Sequence, residues 1–136
     1  LVNIGKVDSI SAAFRKYMGD GKAGDVKQQW AALPKIIAWI RDANGIAVLA
    51  HPLKYKLTRT RLKRLLDDFS DAGGQGMEVV SGQQLPQQTY DLAQLCEQRK
   101  LLASCGSDFH MPGRHWAELG RFAPLPGNVT PVWEYF

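Results

Sequence analysis

Three short apolar runs, each separated from the next by a helix-length amphipathic stretch, constrain this chain more than any other feature. They are Ile46 to Ala50, Gly76 to Val80 and Leu101 to Ser104. Each is too short for a buried helix and is bounded by glycine, proline or polar residues, so each reads as a buried strand. Between the first two, Thr58 can cap a helix running to about Asp71, with Leu62, Leu65, Leu66 and Phe69 on one face and Gly73 and Gly74 to stop it. Between the second and third, Pro86 suits the first turn of a helix through about Arg99, with Leu92, Leu95 and Cys96 inward. The order β-α-β-α-β implies parallel strands joined by right-handed crossovers. Upstream, Ile10, Ala13, Phe14 and Tyr17 fit one short helix, and Leu33, Ile36, Ile37 and Ile40 fit another, with Pro34 near its start and Gly45 past its end. A glycine-rich, charged loop from Gly19 to Gly24 lies between them. After Gly113 the chain reads as irregular, with Pro124, Pro126, Gly127 and Pro131.

Chemistry-bearing residues gather after the strands. His51-Pro52 follows the first, and Pro52 prevents a normal ladder from continuing. The run Ser104-Cys105-Gly106-Ser107-Asp108-Phe109-His110 follows the third. A lone histidine after a strand is more often a hydrogen-bonded structural residue than a ligand. Two such segments in a parallel α/β pattern point further, because ligand-binding groups in these folds collect at the carboxyl ends of the strands. Asp108 and His110, two positions apart, can point the same way and share one metal ion or two adjacent ones.

Size and composition narrow the classes. At 136 residues and 45% hydrophobic content, the chain suits one globular domain. No run approaches the ~20 apolar residues of a membrane span. Leu1-Val2-Asn3 has neither an initiator Met nor signal-peptide character, which suggests a start inside a longer protein. Cys96, on a predicted helix, and Cys105, just past a predicted strand, read as buried thiols of a reducing, cytoplasmic setting. No Walker loop, GxSxG or CxxC occurs, and Gly19-Asp20-Gly21 does not follow a strand, which argues against a dinucleotide fingerprint. The net charge is +4. Lys54, Lys56, Arg59, Arg61, Lys63 and Arg64 follow His51 closely. A solvated helix face accounts for Arg61, Lys63 and Arg64 as well as a functional role does. Lys54 and Lys56 sit directly after the candidate ligand, and cations there favour a phosphorylated or nucleic-acid substrate.

These residues resemble a family. Ala50-His51-Pro52 with Tyr55 close behind, Gly106-Ser107-Asp108-Phe109-His110, Gly76-Met77-Glu78-Val79 and Phe14-Arg15-Lys16-Tyr17-Met18-Gly19 together resemble the PHP (polymerase and histidinol phosphatase) domain. Within it they look like the TrpH-like branch of nucleotide phosphoesterases and 5′-to-3′ exoribonucleases. The resemblance implies that residues 1–136 are the C-terminal portion of a single PHP metallo-phosphoesterase domain, the C-terminal part of a distorted (β/α)7 barrel with mostly parallel strands. It implies divalent metal ions, with manganese expected and zinc, iron or magnesium as alternatives. By resemblance His51, Asp108 and His110 match metal ligands with catalytic roles, and Lys54 stands at a position that meets substrate phosphate, where the branch often has arginine. Arg114 is a further candidate for the substrate phosphate. The implied reaction is attack of a metal-activated water on phosphorus in a nucleotide or short RNA. Glu78 is a strand carboxylate that requires either a metal-site role or a salt bridge. His115 fits a surface or substrate-loop role better than ligation.

One departure matters. The HxH strand with which PHP domains begin, and the ligands that follow it, are absent from these residues. Three ligands cannot fill a multinuclear cluster, so the missing N-terminal half is an expected partner and this chain alone is expected to be inactive. Two rival readings remain: another PHP phosphatase, acting on histidinol phosphate or associated with a polymerase, and a non-enzymatic basic RNA-binding module using tryptophans among Trp30, Trp39, Trp116 and Trp133.

Overall fold

The computed structural model describes residues 1–18, 21–25, 30–113, 115 and 117–136. The chain divides into two compact units, Leu1–Ala31 and Ala32–Phe136. In the first, α1 (Ile10–Tyr17) starts at Ser9, whose hydroxyl accepts the Ala12 N–H at 3.1 Å. The expected apolar face of this helix is not a packed one: Ile10 is 70% and Phe14 58% exposed. Gly19 and Asp20 of the glycine-rich loop lie outside the described residues.

The second unit carries the parallel sheet. Helix α2 (Leu33–Asp42) opens with Pro34 in its first turn and buries Ile37. Strand β1 (Val48–Leu49), helix α3 (Arg59–Asp71), β2 (Gly76–Ser81), α4 (Pro86–Gln98) and β3 (Leu102–Gly106) follow in that order. The strands run parallel in the order β1-β2-β3. Thr58 caps α3 by accepting the Arg61 N–H at 3.4 Å. Leu62, Leu66 and Phe69 of α3 and Leu92, Leu95 and Cys96 of α4 are buried in one core with Met77, Val79, Val80 and Ala103 of the sheet. Arg99 ties the two helices by its ion pair with Asp67 at 2.9 Å.

Three boundaries depart from expectation. Strand β1 is two residues long rather than five, because His51 turns into the left-handed region (φ 31°) and Pro52 offers no N–H. Strand β3 runs to Gly106 rather than stopping at Ser104, so Cys105 lies within it, only partly buried, rather than past it. The cause is a bulge in β2 between Glu78 and Val80, which pairs Val80 with Cys105 and Ser81 with Gly106. The proline-rich tail is also less irregular than expected. The Ala103 N–H donates to Thr130 O at 2.8 Å, Ala103 bridges Pro131 in parallel, and a 3₁₀ turn follows at Val132–Tyr135.

The turn after α3 has a strict requirement. A Cβ at Gly74 would lie 2.2 Å from the Phe69 ring, and that ring is buried in the core, so it has nowhere to move. Gly74→Ala should destabilise by about 3 kcal/mol, the upper end of overpacking costs, read by denaturant titration. A change within about 0.5 kcal/mol would show that Phe69 repacks freely.

Candidate metal and phosphate site

Parallel pairing places the carboxyl ends of β1 and β3 at the same end of the sheet. His51 lies just past β1, and Asp108 and His110 just past β3. The two segments meet directly, because Lys54 Nζ of the 3₁₀ turn Pro52–Tyr55 donates to Asp108 Oδ2.

His51 is held from two sides. Its backbone N–H donates to Glu78 Oε2 at 2.6 Å. Its ring meets the edge of Tyr55 with centroids 5.7 Å apart. Tyr55 is itself anchored by donating its hydroxyl to Ala50 O at 2.6 Å. Burial, followed by the charge of Glu78, pushes the Tyr55 phenol up from its ordinary value, so it stays protonated as that donor. The left-handed backbone of His51 is strained, the more so before proline, and Asp108 is left-handed too (φ 55°). Such conformations persist where the surroundings over-determine them, and they cluster at functional sites.

Asp108 carries its charge readily. The hydrogen bond from Lys54 lowers its pKa most, and the positive fields of Lys54, His110 and His51 add to it against burial. His110 Nδ1 lies 2.7 Å from the Asp108 carbonyl. A carbonyl only accepts, so Nδ1 carries the proton, and in the neutral ring the lone pair lies on Nε2. The ring itself is exposed.

A divalent metal suits these donors in type. Imidazole nitrogen and carboxylate oxygen are ordinary ligands for Mn²⁺, Zn²⁺ or Fe²⁺. His51 Nδ1 is buried and has no hydrogen-bond partner among the described residues, a costly state for a polar atom that lacks a ligand. The donors do not close a shell by themselves, since among the described residues no group of three or more His, Cys, Asp or Glu converges on one point.

Glu78 needs no salt bridge; the His51 N–H partners it instead. Its role was missed because that bond joins β2 to the turn after β1, 27 positions away. The one signal in the sequence was a carboxylate in the otherwise apolar run Gly76-Met77-Glu78-Val79-Val80. His115 is drawn to Glu118, with Nδ1 3.5 Å from Oε1, and is exposed. Arg114 and Trp116 lie outside the described residues. Arg61 and Arg64 are exposed on α3, as a solvated face predicts. Trp30, Trp39 and Trp133 are exposed, and Lys35 stands over the Trp39 ring.

No family model matches the chain. The chain is 44% identical over its full length to a 5′-3′ exoribonuclease from Haemophilus influenzae, of which it covers 49%. It is 43% identical over 98% of its length to a 3′,5′-nucleoside bisphosphate phosphatase from Chromobacterium violaceum, of which it covers 47%. Among solved structures, one described as an amidohydrolase from Chromobacterium violaceum, with bound sulfate and no metal, superposes on 99% of this chain at a TM-score of 0.81 and 42% identity, and the chain covers 46% of it. The chain therefore spans about half the length of the curated relatives it matches. Its parallel α/β unit is that part of the same fold. Among the described residues no helix is long and apolar enough to cross a membrane.

Proposed function

We propose that this chain supplies about half of a PHP-type, metal-dependent phosphoesterase acting on nucleotides or RNA, as a 3′,5′-nucleoside bisphosphate phosphatase or 5′-3′ exoribonuclease. One observation carries the reading: a buried His51 nitrogen, unpartnered among the described residues, stands at the same sheet end as a carboxylate already paired to a lysine. The names of the similar proteins support the substrate class.

His51, Asp108 and His110 would hold divalent metal, manganese being the first choice, and the remaining donors would come from the rest of the protein. When bound, the metal would lower the pKa of a water so that it can attack phosphorus. The chain's own groups do the rest. Glu78 and Tyr55 keep His51 in its strained pose, and His110 presents Nε2 because Nδ1 is committed to the Asp108 carbonyl. The ammonium of Lys54 has three donors, of which Asp108 uses one. The others remain for a phosphoryl oxygen, where a charge-assisted bond strengthens as charge develops. Arg114 is proposed to share that task.

The test is hydrolysis by the intact protein of adenosine 3′,5′-bisphosphate, short RNA and histidinol phosphate, with manganese and with EDTA. Metal-dependent release of phosphate or nucleotide from either of the first two is expected. Activity on histidinol phosphate alone would move the protein to another branch, and salt-sensitive RNA binding without hydrolysis would favour a binding module. Lys54→Ala should raise KM for phosphate esters about 10-fold or more, the loss of one hydrogen bond to a charged group, with metal content unchanged. Loss of metal in this variant would make Lys54 a structural residue of the site.

A further inference from the structure

We propose that the cavity beside Lys54 is a nucleobase subsite, with Ser81 and Gln83 reading the edge of the base. The inference rests on the nucleotide reading above and extends it to the substrate's other end.

The cavity holds about 180 Å³ and opens between the His51 turn and the loop after β2. A pocket for a whole drug-sized ligand spans about 300–1,000 Å³, so this one takes a single moiety rather than a nucleotide. Lys54 lies on its wall and also grips Asp108. A ligand whose phosphoryl group meets Lys54 therefore presents its next group to the cavity.

The walls suit a flat heteroaromatic ring. Pro52, Leu53 and Leu92 are apolar, and hydrogen-bonding groups stand among them. Ser81 Oγ is buried without a partner among the described residues, and its hydroxyl can donate or accept. Gln88 spends its Oε1 on the Leu85 N–H at 2.9 Å, which leaves its NH₂ as donor. Gln83 is exposed at the rim with both ends of its amide uncommitted among the described residues. Glutamine amides pair with base edges such as adenine N6 and N7, and serine serves either donor or acceptor.

The loop that carries Gln83, between Ser81 at the end of β2 and Gln88 in α4, is fixed beforehand. Gln84 Nε2 donates to Val79 O at 2.7 Å and to Thr89 Oγ1 at 2.8 Å, and its Oε1 accepts the Ser81 N–H at 3.2 Å. The Gly82 N–H donates to Gly106 O at 2.7 Å, tying the loop to the end of β3. Gln84 is thus the positioning residue of the loop.

The test is equilibrium binding to the intact protein, with EDTA present so that the ligands survive. The ligands are adenosine 3′,5′-bisphosphate and its base-free analogue, 1,4-anhydroribitol 3,5-bisphosphate, which keeps the furanose ring. The wild type should bind the base-bearing ligand at least about tenfold more tightly, the worth of one good amide–base contact. Gln83→Ala and Ser81→Ala should each bring the ratio of the two affinities close to one. Ser81→Ala removes a hydroxyl that has no partner among the described residues, so it should unfold no earlier than wild type. Equal affinities in the wild type would overturn the subsite. So would a preference for the base that survives both substitutions, or no detectable binding of either ligand at millimolar concentration. A base preference that both substitutions abolish, in a protein that hydrolyses no phosphate ester with manganese, would retain the subsite and remove the phosphoesterase reading.

Discussion

Asp108→Asn in the intact protein should lower metal-dependent hydrolysis by more than about 100-fold. Substituting the groups that merely orient a metal ligand costs about 10–100-fold, so loss of a ligand's charge must exceed that. Asparagine keeps the size and one acceptor oxygen but loses the negative charge that Lys54 and the two histidines now favour. Lys54 should lose its ion partner at the same time, so phosphate affinity measured without metal should hold or rise while turnover collapses. That opposition separates a lost ligand from a damaged fold. Turnover within threefold of wild type would remove Asp108 from the chemistry.

Glu78→Ala should cost about 10–100-fold in activity, the range for a residue acting through a ligand. The variant leaves the His51 N–H unpartnered in a half-buried place, at about 1–3 kcal/mol of stability. It also frees a left-handed residue that precedes proline, so His51 can relax to the extended backbone proline prefers. Glu78→Gln separates two roles. Glutamine retains an acceptor for the His51 N–H, so activity should recover most of the loss if Glu78 acts by positioning. If Gln proves as damaging as Ala, with metal lost in both, Glu78 is itself a ligand. Mn²⁺ affinity, measured beside kcat, decides between them.

The placement of the candidate site was legible where it depended on local pattern. His51, Asp108 and His110 stand after apolar runs, and parallel connection alone puts such positions at one sheet end. Helices α3 and α4 followed from Thr58, Pro86 and their apolar spacing, because caps and periodicity act over a few residues. What escaped is non-local. Lys54 was visible as a cation, but its partner Asp108 lies 54 positions away, across the sheet. Glu78 was visible as a lone carboxylate, but nothing in its neighbours says that its partner is the backbone N–H of His51, in the turn after β1. The bulge between Glu78 and Val80 changes register by one residue, which no side-chain pattern announces when both Val79 and Val80 are buried. The tail's pairing with Ala103 depends on β3 offering it a free edge, and a proline-rich segment gives no periodic sign of that.

His51, Asp108 and His110 are expected to bind divalent metal in the intact protein. Metal content of wild type, His51→Ala, Asp108→Asn and His110→Ala, after loading with manganese and removal of excess, tests it directly. The wild type should hold stoichiometric metal and each variant should lose at least one equivalent, with circular dichroism unchanged. Full metal retention in all three variants would contradict it.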